Sequence, residues 1–277
     1  MQIRTIFFGV ALTLIAASCS MDSFLFNAQP LDAYVLADSV IPASQVEAVT
    51  LKSGDNTLRG FYIKQPDSMR IAPHYVVLYN HGNKHNIHVY WDRVELLYKA
   101  GFDVFIYDYR GYGMSEGAGS ETGLFADAQA AYDYVVGRAD RDSLQLAIYG
   151  FSLGGVPASY QAVMARDRCR AVVMEACFAS GEEIVRSGTI LDIPGSYLLE
   201  SAYDNASRMP NITAPVMVLH GEADVFIGLE RHGRKLYDAA NIPKVFVSVP
   251  GGEHSTVPYA MGTDAYIARI NAFIKGN

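Results

Sequence analysis

From Val46 onward, short apolar runs alternate with longer stretches whose apolar positions recur every three or four residues, the pattern of strands alternating with helices. The strand-like runs are "VEAVTLKS" from Val46, "LRGFYIK" from Leu58, "HYVVLYN" from His74, "FDVFIYD" from Phe102, "LQLAIYG" from Leu144, "AVVMEA" from Ala171, "VMVLHG" from Val216 and "VFVSVP" from Val245. The first two alternate in polarity and flank "GDN", a turn signal, which predicts an antiparallel pair at a sheet edge. The later runs are almost continuously apolar, as strands buried on both faces should be. Helical periodicity falls on 91–100, 121–136, 154–165, 228–240 and 263–274. This order predicts an α/β domain over 45–277: a mostly parallel sheet of about eight strands with helices on both faces. The stretch 178–211 is long for a strand-to-strand connection and mixes Gly, Pro and aromatic residues, which predicts a small cap over one end of the sheet.

Half of the 277 residues are hydrophobic and 18% are charged, ample for a core, so the chain is globular. Net charge is −7, and it becomes −8 without the first 18 residues, whose only charge is Arg4. With no Lys/Arg run, that balance disfavours nucleic acid or an anionic surface as an electrostatic partner.

The chain opens "MQIRTIFFGVALTLIAASCS". A basic start and an apolar run from Ile6 to Ala17, too short to span a bilayer, predict an export signal over 1–18. The small residues before Cys19 resemble the cleavage box of bacterial lipoproteins, though Ala16 stands where Leu is usual. The resemblance implies lipidation at Cys19, a tether and lead-in over 19–44, and residence in the cell envelope. Ser20 after the cysteine leans that towards the outer membrane, and release into the periplasm is the alternative. An exported chain raises the question of a Cys169–Cys177 disulfide. The intervening "RAVVMEA" reads as one strand, and eight extended steps separate the two α-carbons by roughly 26 Å, far beyond a bridge's reach. Both thiols are expected free and buried.

The stretch "YGFSLGG", Tyr149 to Gly155, follows a strand and opens a helix. In such an elbow a serine takes a strained backbone conformation that projects its oxygen, and Gly150 and Gly154 leave room where strand and helix cross. Ser152 is thus a candidate nucleophile, and it needs a base held by an acid. Asp224 follows the strand ending in "VLHG" and His254 follows the one ending in "SVP", so both fall on loops at the carboxyl edge of the sheet, beside Ser152. Glu222 and Glu253 are the alternative acids. His220 reads as structural, His232 as a helix surface residue, and His74 opens a strand. An oxyanion would need two N–H donors, and the backbones of Leu153 and Asn83 are the candidates. His81, His85 and His88 have a spacing that suits a metal on a helical face, but no carboxylate in the loop completes a ligand set, and His81 reads as a brace. "DYRGYGMSEG" from Asp108 lacks the Lys and Ser/Thr of a phosphate loop and reads as a buttressing turn. "NAS" at Asn205 and "NIT" at Asn211 match a glycosylation pattern, which the resemblance of the opening to a bacterial signal makes irrelevant.

Taken together, "NHGN", "DYRGYGMSEG", "YGFSLGG", "PVMVLHGEAD" and "PGGEH", in this order, resemble the α/β-hydrolase superfamily, close to small abhydrolase-type serine hydrolases, from about Gln29 to the end. The resemblance implies Ser152, Asp224 and His254 as nucleophile, acid and base, no cofactor, no metal, and a small or lipid-like acyl substrate. It departs at "DVFIG", where such proteins often carry a proline, and at Ser255, where Asn is common. A serine at the elbow disfavours dehalogenase or epoxide-hydrolase chemistry and leaves hydrolysis of a carboxylic ester or thioester. A peptidase or amidase, or a non-catalytic envelope module, are the competing readings. Phe178, Ile190, Leu191, Tyr197 and Leu198 of the cap either line an acyl pocket or pack the cap onto the domain.

Overall fold

The computed structural model describes residues 25–69, 73–138, 144–188, 199 and 201–276. The expectations for the export signal, Cys19, Ile190, Leu191, Tyr197 and Leu198 lie outside these residues.

The strands are β1 (Val46–Ser53), β2 (Asn56–Ile63), β3 (His74–Asn80), β4 (Asp103–Tyr107), β5 (Leu144–Phe151), β6 (Cys169–Glu175), β7 (Val216–Gly221) and β8 (Lys244–Val249). They form one sheet in the order β1-β2-β4-β3-β5-β6-β7-β8. The edge hairpin is as the alternation predicted: β1 runs antiparallel to β2 in register from Val46↔Ile63 to Ser53↔Asn56, and β2 is antiparallel to β4. All other pairings are parallel. The described helices are α1 (Trp91–Lys99), α2 (Glu121–Gly137), α3 (Gly155–Ala165), α4 (Gly181–Gly188), α5 (Gly233–Ala239), α6 (Val257–Met261) and α7 (Thr263–Lys275). They cover the sheet on both sides, so each face carries its own apolar cluster.

Because the chain steps from β3 outward to β4 and then back across to β5, connections leave β3 and β5 in opposite directions. A crevice opens there at the carboxyl ends. The segment before β1 is packed along this edge over its described part. Asn27–Ala28 pairs in parallel with Lys84–His85, the Tyr34 hydroxyl reaches Asp108, and Trp91 donates to the Ala37 carbonyl at 3.0 Å.

Three features differ from expectation or add to it. α4 lies inside the 178–211 insertion and α6 follows the β8 loop, both too short for periodicity to reveal. α5 starts at Gly233, not at 228, because residues 228–232 form turns in which the His232 N–H donates to Gly228 O and the Arg234 N–H to Leu229 O. His232 is therefore not a helix surface residue but fully buried, just before α5 and beneath α4. Its Nδ1 accepts from the Ala179 N–H at 3.2 Å, and its Nε2 lies 3.0 Å from Ser187 Oγ. Both cysteines with described surroundings, Cys169 and Cys177, are free and buried.

His232 has a consequence for stability. Burial disfavours its charged form and pushes its pKa down to about 4. Unfolding restores an imidazole that titrates near 6.5. Between these values the unfolded chain binds a proton that the folded one does not, so stability falls as pH drops from about 6.5 towards 4, by on the order of 2 kcal/mol from this residue. Urea unfolding at pH 7 and pH 5 should show that loss in the wild type and a smaller one in His232→Gln. Equal losses would remove His232 as its source.

Candidate active site

Ser152 begins a single tight turn, Ser152–Gly154, between β5 and α3. Its φ is +53°, a conformation that costs a non-glycine residue about 1 kcal/mol or more. The neighbours hold it there. A Cβ on Gly150 would lie 2.6 Å from Gly154 O, and one on Gly154 would lie 2.0 Å from Asn80 O, so strand, turn and the neighbouring β3 end meet at backbone contact. Cys177, from just beyond β6, donates to Gly150 O at 3.2 Å beneath the turn.

The carboxyl-edge loops bring the other two predicted residues to this serine. His254 Nε2 lies 2.9 Å from Ser152 Oγ and its Nδ1 lies 2.8 Å from Asp224 Oδ2. The tautomer with its proton on Nδ1 satisfies both contacts: it donates to Asp224 and leaves Nε2 to accept from the serine. Asp224 is buried, and its Oδ1 accepts from the Phe226 and Ile227 N–H groups at 3.0 and 2.8 Å. Burial pushes its carboxyl pKa up, but the hydrogen bond and charge of His254, the Ile227 N–H and His220 outweigh it. The net shift is downward. Glu222 and Glu253 are exposed at the surface, and the Ser248 hydroxyl occupies Glu222. His220 is fully buried and directs Nε2 to Ile227 O at 2.6 Å, which fixes the loop that carries Asp224.

Asn83 lines the same pocket as Ser152 and His254, a cleft of about 180 Å³, and Leu153 follows the serine in the turn. The Asn83 loop is held from every side. The Tyr112 hydroxyl and the Asn27 N–H donate to Asn83 O, the Tyr109 hydroxyl donates to His81 O, and the Lys84 N–H donates to the Tyr90 hydroxyl. His81 stacks on Tyr109 and Tyr90, at ring separations of 4.2 and 5.0 Å, with Nε2 3.2 Å from Asp108 Oδ1. His85 sits in the two-residue strand, and His88 Nε2 accepts from the Val35 N–H. The three histidines thus occupy a loop, a strand and a turn and face separate partners. Asn205 is buried, bonded to Phe178 O and Ser159, which takes it out of reach of modification. Phe178 itself belongs to the core rather than to the pocket.

The sequence reading missed a buried ionic group behind His254. Arg93 of α1 lies 3.0 Å from Glu175 Oε1, donates to Ser255 O at 2.9 Å, and stacks 4.2 Å from the Phe151 ring centre. Glu175 Oε2 accepts from the Tyr149 and Tyr266 hydroxyls. Burial alone would favour a neutral guanidine, but Glu175 overrides it and holds Arg93 charged. The group thereby ties α1, β5, β6, α7 and the His254 loop together. One signal was available: Glu175 is a carboxylate inside an otherwise apolar buried run, and such a charge needs a partner.

Comparison with known proteins bears on the fold. A model of the alpha/beta hydrolase fold matches residues 75–188. The uncharacterized protein YfhR of Escherichia coli K12 is 36% identical over 82% of this chain and 80% of its own length. The chain belongs to the α/β-hydrolase superfamily. Among solved structures, an esterase of Pyrococcus furiosus superposes with a TM-score of 0.70 at 16% identity, over 91% of this chain and 98% of the esterase. A dienelactone hydrolase of Anabaena variabilis superposes at 0.63 and 17% identity, over 84% and 97%. At these identities the structural likeness is one of fold.

The Arg93–Glu175 pair yields a test of the scaffold. Arg93→Met leaves Glu175 buried and uncompensated and should destabilise the protein by about 3 kcal/mol. Arg93→Met with Glu175→Gln should recover most of that. Denaturant unfolding of the two singles and the double measures the coupling, and purely additive losses would show that the pair does not act as a unit.

Proposed function

We propose that this chain is a serine hydrolase that cleaves a carboxylic ester or thioester through an acyl-enzyme, exported and tethered to the cell envelope by a lipid on Cys19. The observation that carries the catalytic part is the unbroken hydrogen-bond chain from Ser152 Oγ through His254 to Asp224, at 2.9 and 2.8 Å, on a serine held at positive φ. No cofactor enters the mechanism. His254 Nε2 takes the Ser152 proton as Oγ attacks the carbonyl carbon, and Asp224 stabilises the imidazolium that forms. The N–H groups of Leu153 and Asn83 receive the developing oxyanion. As the tetrahedral species collapses, the bond to the leaving oxygen or sulfur breaks and His254 returns the proton to it. Water then gives its proton to His254 as it attacks the acyl carbon; the bond from that carbon to Ser152 Oγ breaks, His254 returns the proton to Oγ, and the acid and the free serine are released. The lowered pKa of Asp224 keeps it ionised through the cycle, as the acid of such a relay requires.

The pocket bears on the substrate. A cleft of about 180 Å³ lined by Val89, Tyr90 and Phe151 has room for a small acyl or alcohol portion beside Ser152. Larger substrates would extend out of its mouth. The anchor reading rests on the apolar run from Ile6 to Ala17 and the small residues leading into Cys19, with residence in the outer membrane favoured by Ser20.

Intact mass after exposure to a fluorophosphonate tests the nucleophile. Wild type should gain one adduct and Ser152→Ala none, whereas a folded wild type without adduct would favour a binding module on the same fold. Among ester substrates, Asp224→Asn should lower kcat by about 10⁴-fold with little change in melting temperature. Turnover of peptides but not esters by the wild type would redirect the reading to an amidase.

A further inference from the structure

Eight large hydrophobic side chains are conspicuously exposed among the described residues, and their distribution is lopsided. Met69 and Ile242 lie away from the pocket; Ile242 precedes the amino end of β8. The other six lie on segments joined to the Ser152 pocket or to the loops beside it. Val89 lines the pocket, and the Val35 N–H donates to His88, the residue before Val89. Phe226 lies with its ring 5.2 Å from that of His254, and Val225, the most exposed at 99%, precedes it. Tyr259 bonds to Asp92 at the pocket wall, and Met114 donates its N–H to Tyr34 on the same edge. Apolar residues gathered on one face, rather than scattered singly, mark a surface that meets something apolar.

The chain indicates what that is. The described polypeptide enters the fold at this same edge, where Asn27 donates to Asn83 O. Five residues, 20–24, separate Leu25 from Cys19, and the six chain steps reach at most about 20 Å. An anchor at Cys19 therefore holds this edge close to the bilayer. The net charge and the lack of a basic run disfavour attraction to anionic headgroups as the driving force, which leaves insertion of apolar side chains as the contact.

We infer that the mouth of the Ser152 pocket is a bilayer-facing surface, with Val35, Val89, Met114, Val225, Phe226 and Tyr259 seated in the interface, and that the substrate is an acyl ester carried by a membrane lipid. This rests on the anchor reading and, for the substrate, on the hydrolase reading. In the full chain, an environment-sensitive fluorophore is attached at Val225→Cys or, separately, at Ile242→Cys, with the wild type as the labelling blank. Each protein is recovered from the membrane fraction and placed in phosphatidylcholine vesicles with or without brominated lipid. Quenching should be several-fold stronger at 225 than at 242 and insensitive to salt. Equal quenching at both positions, none at either, or a full chain that stays free of vesicles overturns the orientation. A label at 225 shielded by a second copy, with no lipid quenching, overturns it in favour of a dimer. Val35→Asp with Val225→Asp, two residues outside the pocket, should leave hydrolysis of a water-soluble short ester within about twofold while lowering that of a vesicle-borne ester about fivefold or more. Equal loss on both overturns the docking role. The fluorophosphonate adduct is read in the same samples, so preferential quenching at 225 without an adduct supports the orientation and removes only the hydrolase reading.

Discussion

Gly154 approaches the backbone of Asn80 so closely that a single added carbon would lie 2.0 Å from its carbonyl oxygen. Much else at the site depends on that approach. It lets α3 start directly against the end of β3, which brings the Ser152 turn and the Asn83 loop to the same crevice. Asn80 secures the contact from below: its Nδ2 donates to Tyr149 O and Gln161, and its Oδ1 accepts from the Tyr107 hydroxyl. A buried amide with these partners fixes the registry of three neighbouring strands at their carboxyl ends. The positive φ at Ser152 is tolerable because the surroundings leave the turn no alternative.

The same end of the sheet carries an unusual density of buried polar groups, and they are arranged as braces rather than as reactants. Asp108 receives the Ile87 N–H and the Tyr34 hydroxyl beside His81. Asp127 receives the Arg110 fork and the Ser53 hydroxyl. Arg93 and Glu175 join the His254 loop to the sheet. Each loop that could carry chemistry is thus tied to a rigid element by a charged hydrogen bond, a stiffer connection than apolar packing alone provides. Burying such groups costs desolvation, and the return is positional: His254 and Asp224 are held within hydrogen-bond distance before any substrate arrives.

How legible this was differs by scale. The parallel strands were readable because burial on both faces leaves continuous apolar runs, and the edge hairpin because one side in water leaves alternation. Ser152, Asp224 and His254 were readable because each follows a strand end, so chain order alone assigned them to one edge. His232 was misread since the periodicity continues through 228–232 while the backbone there turns; only the burial of its ring against Ala179 and Ser187 decides the matter. Arg93 was invisible for a different reason. On α1 it looks like one charged position of an amphipathic helix, and its partner is 82 residues away in another strand. Pair interactions across that separation leave no local pattern, so the ionic group had only the anomaly of Glu175 to announce it.

The arrangement also explains why the lead-in segment belongs to the site. Asn27 and Ala28 add a short parallel pairing to Lys84 and His85, and Tyr34 closes on Asp108. These contacts hold the backbone of Asn83 from outside while Tyr112 holds it from within. The loop proposed to receive the oxyanion is therefore stabilised by the lead-in segment. Loss of these contacts would be felt first at Asn83, so the lead-in segment and the site geometry are coupled rather than independent features of the chain.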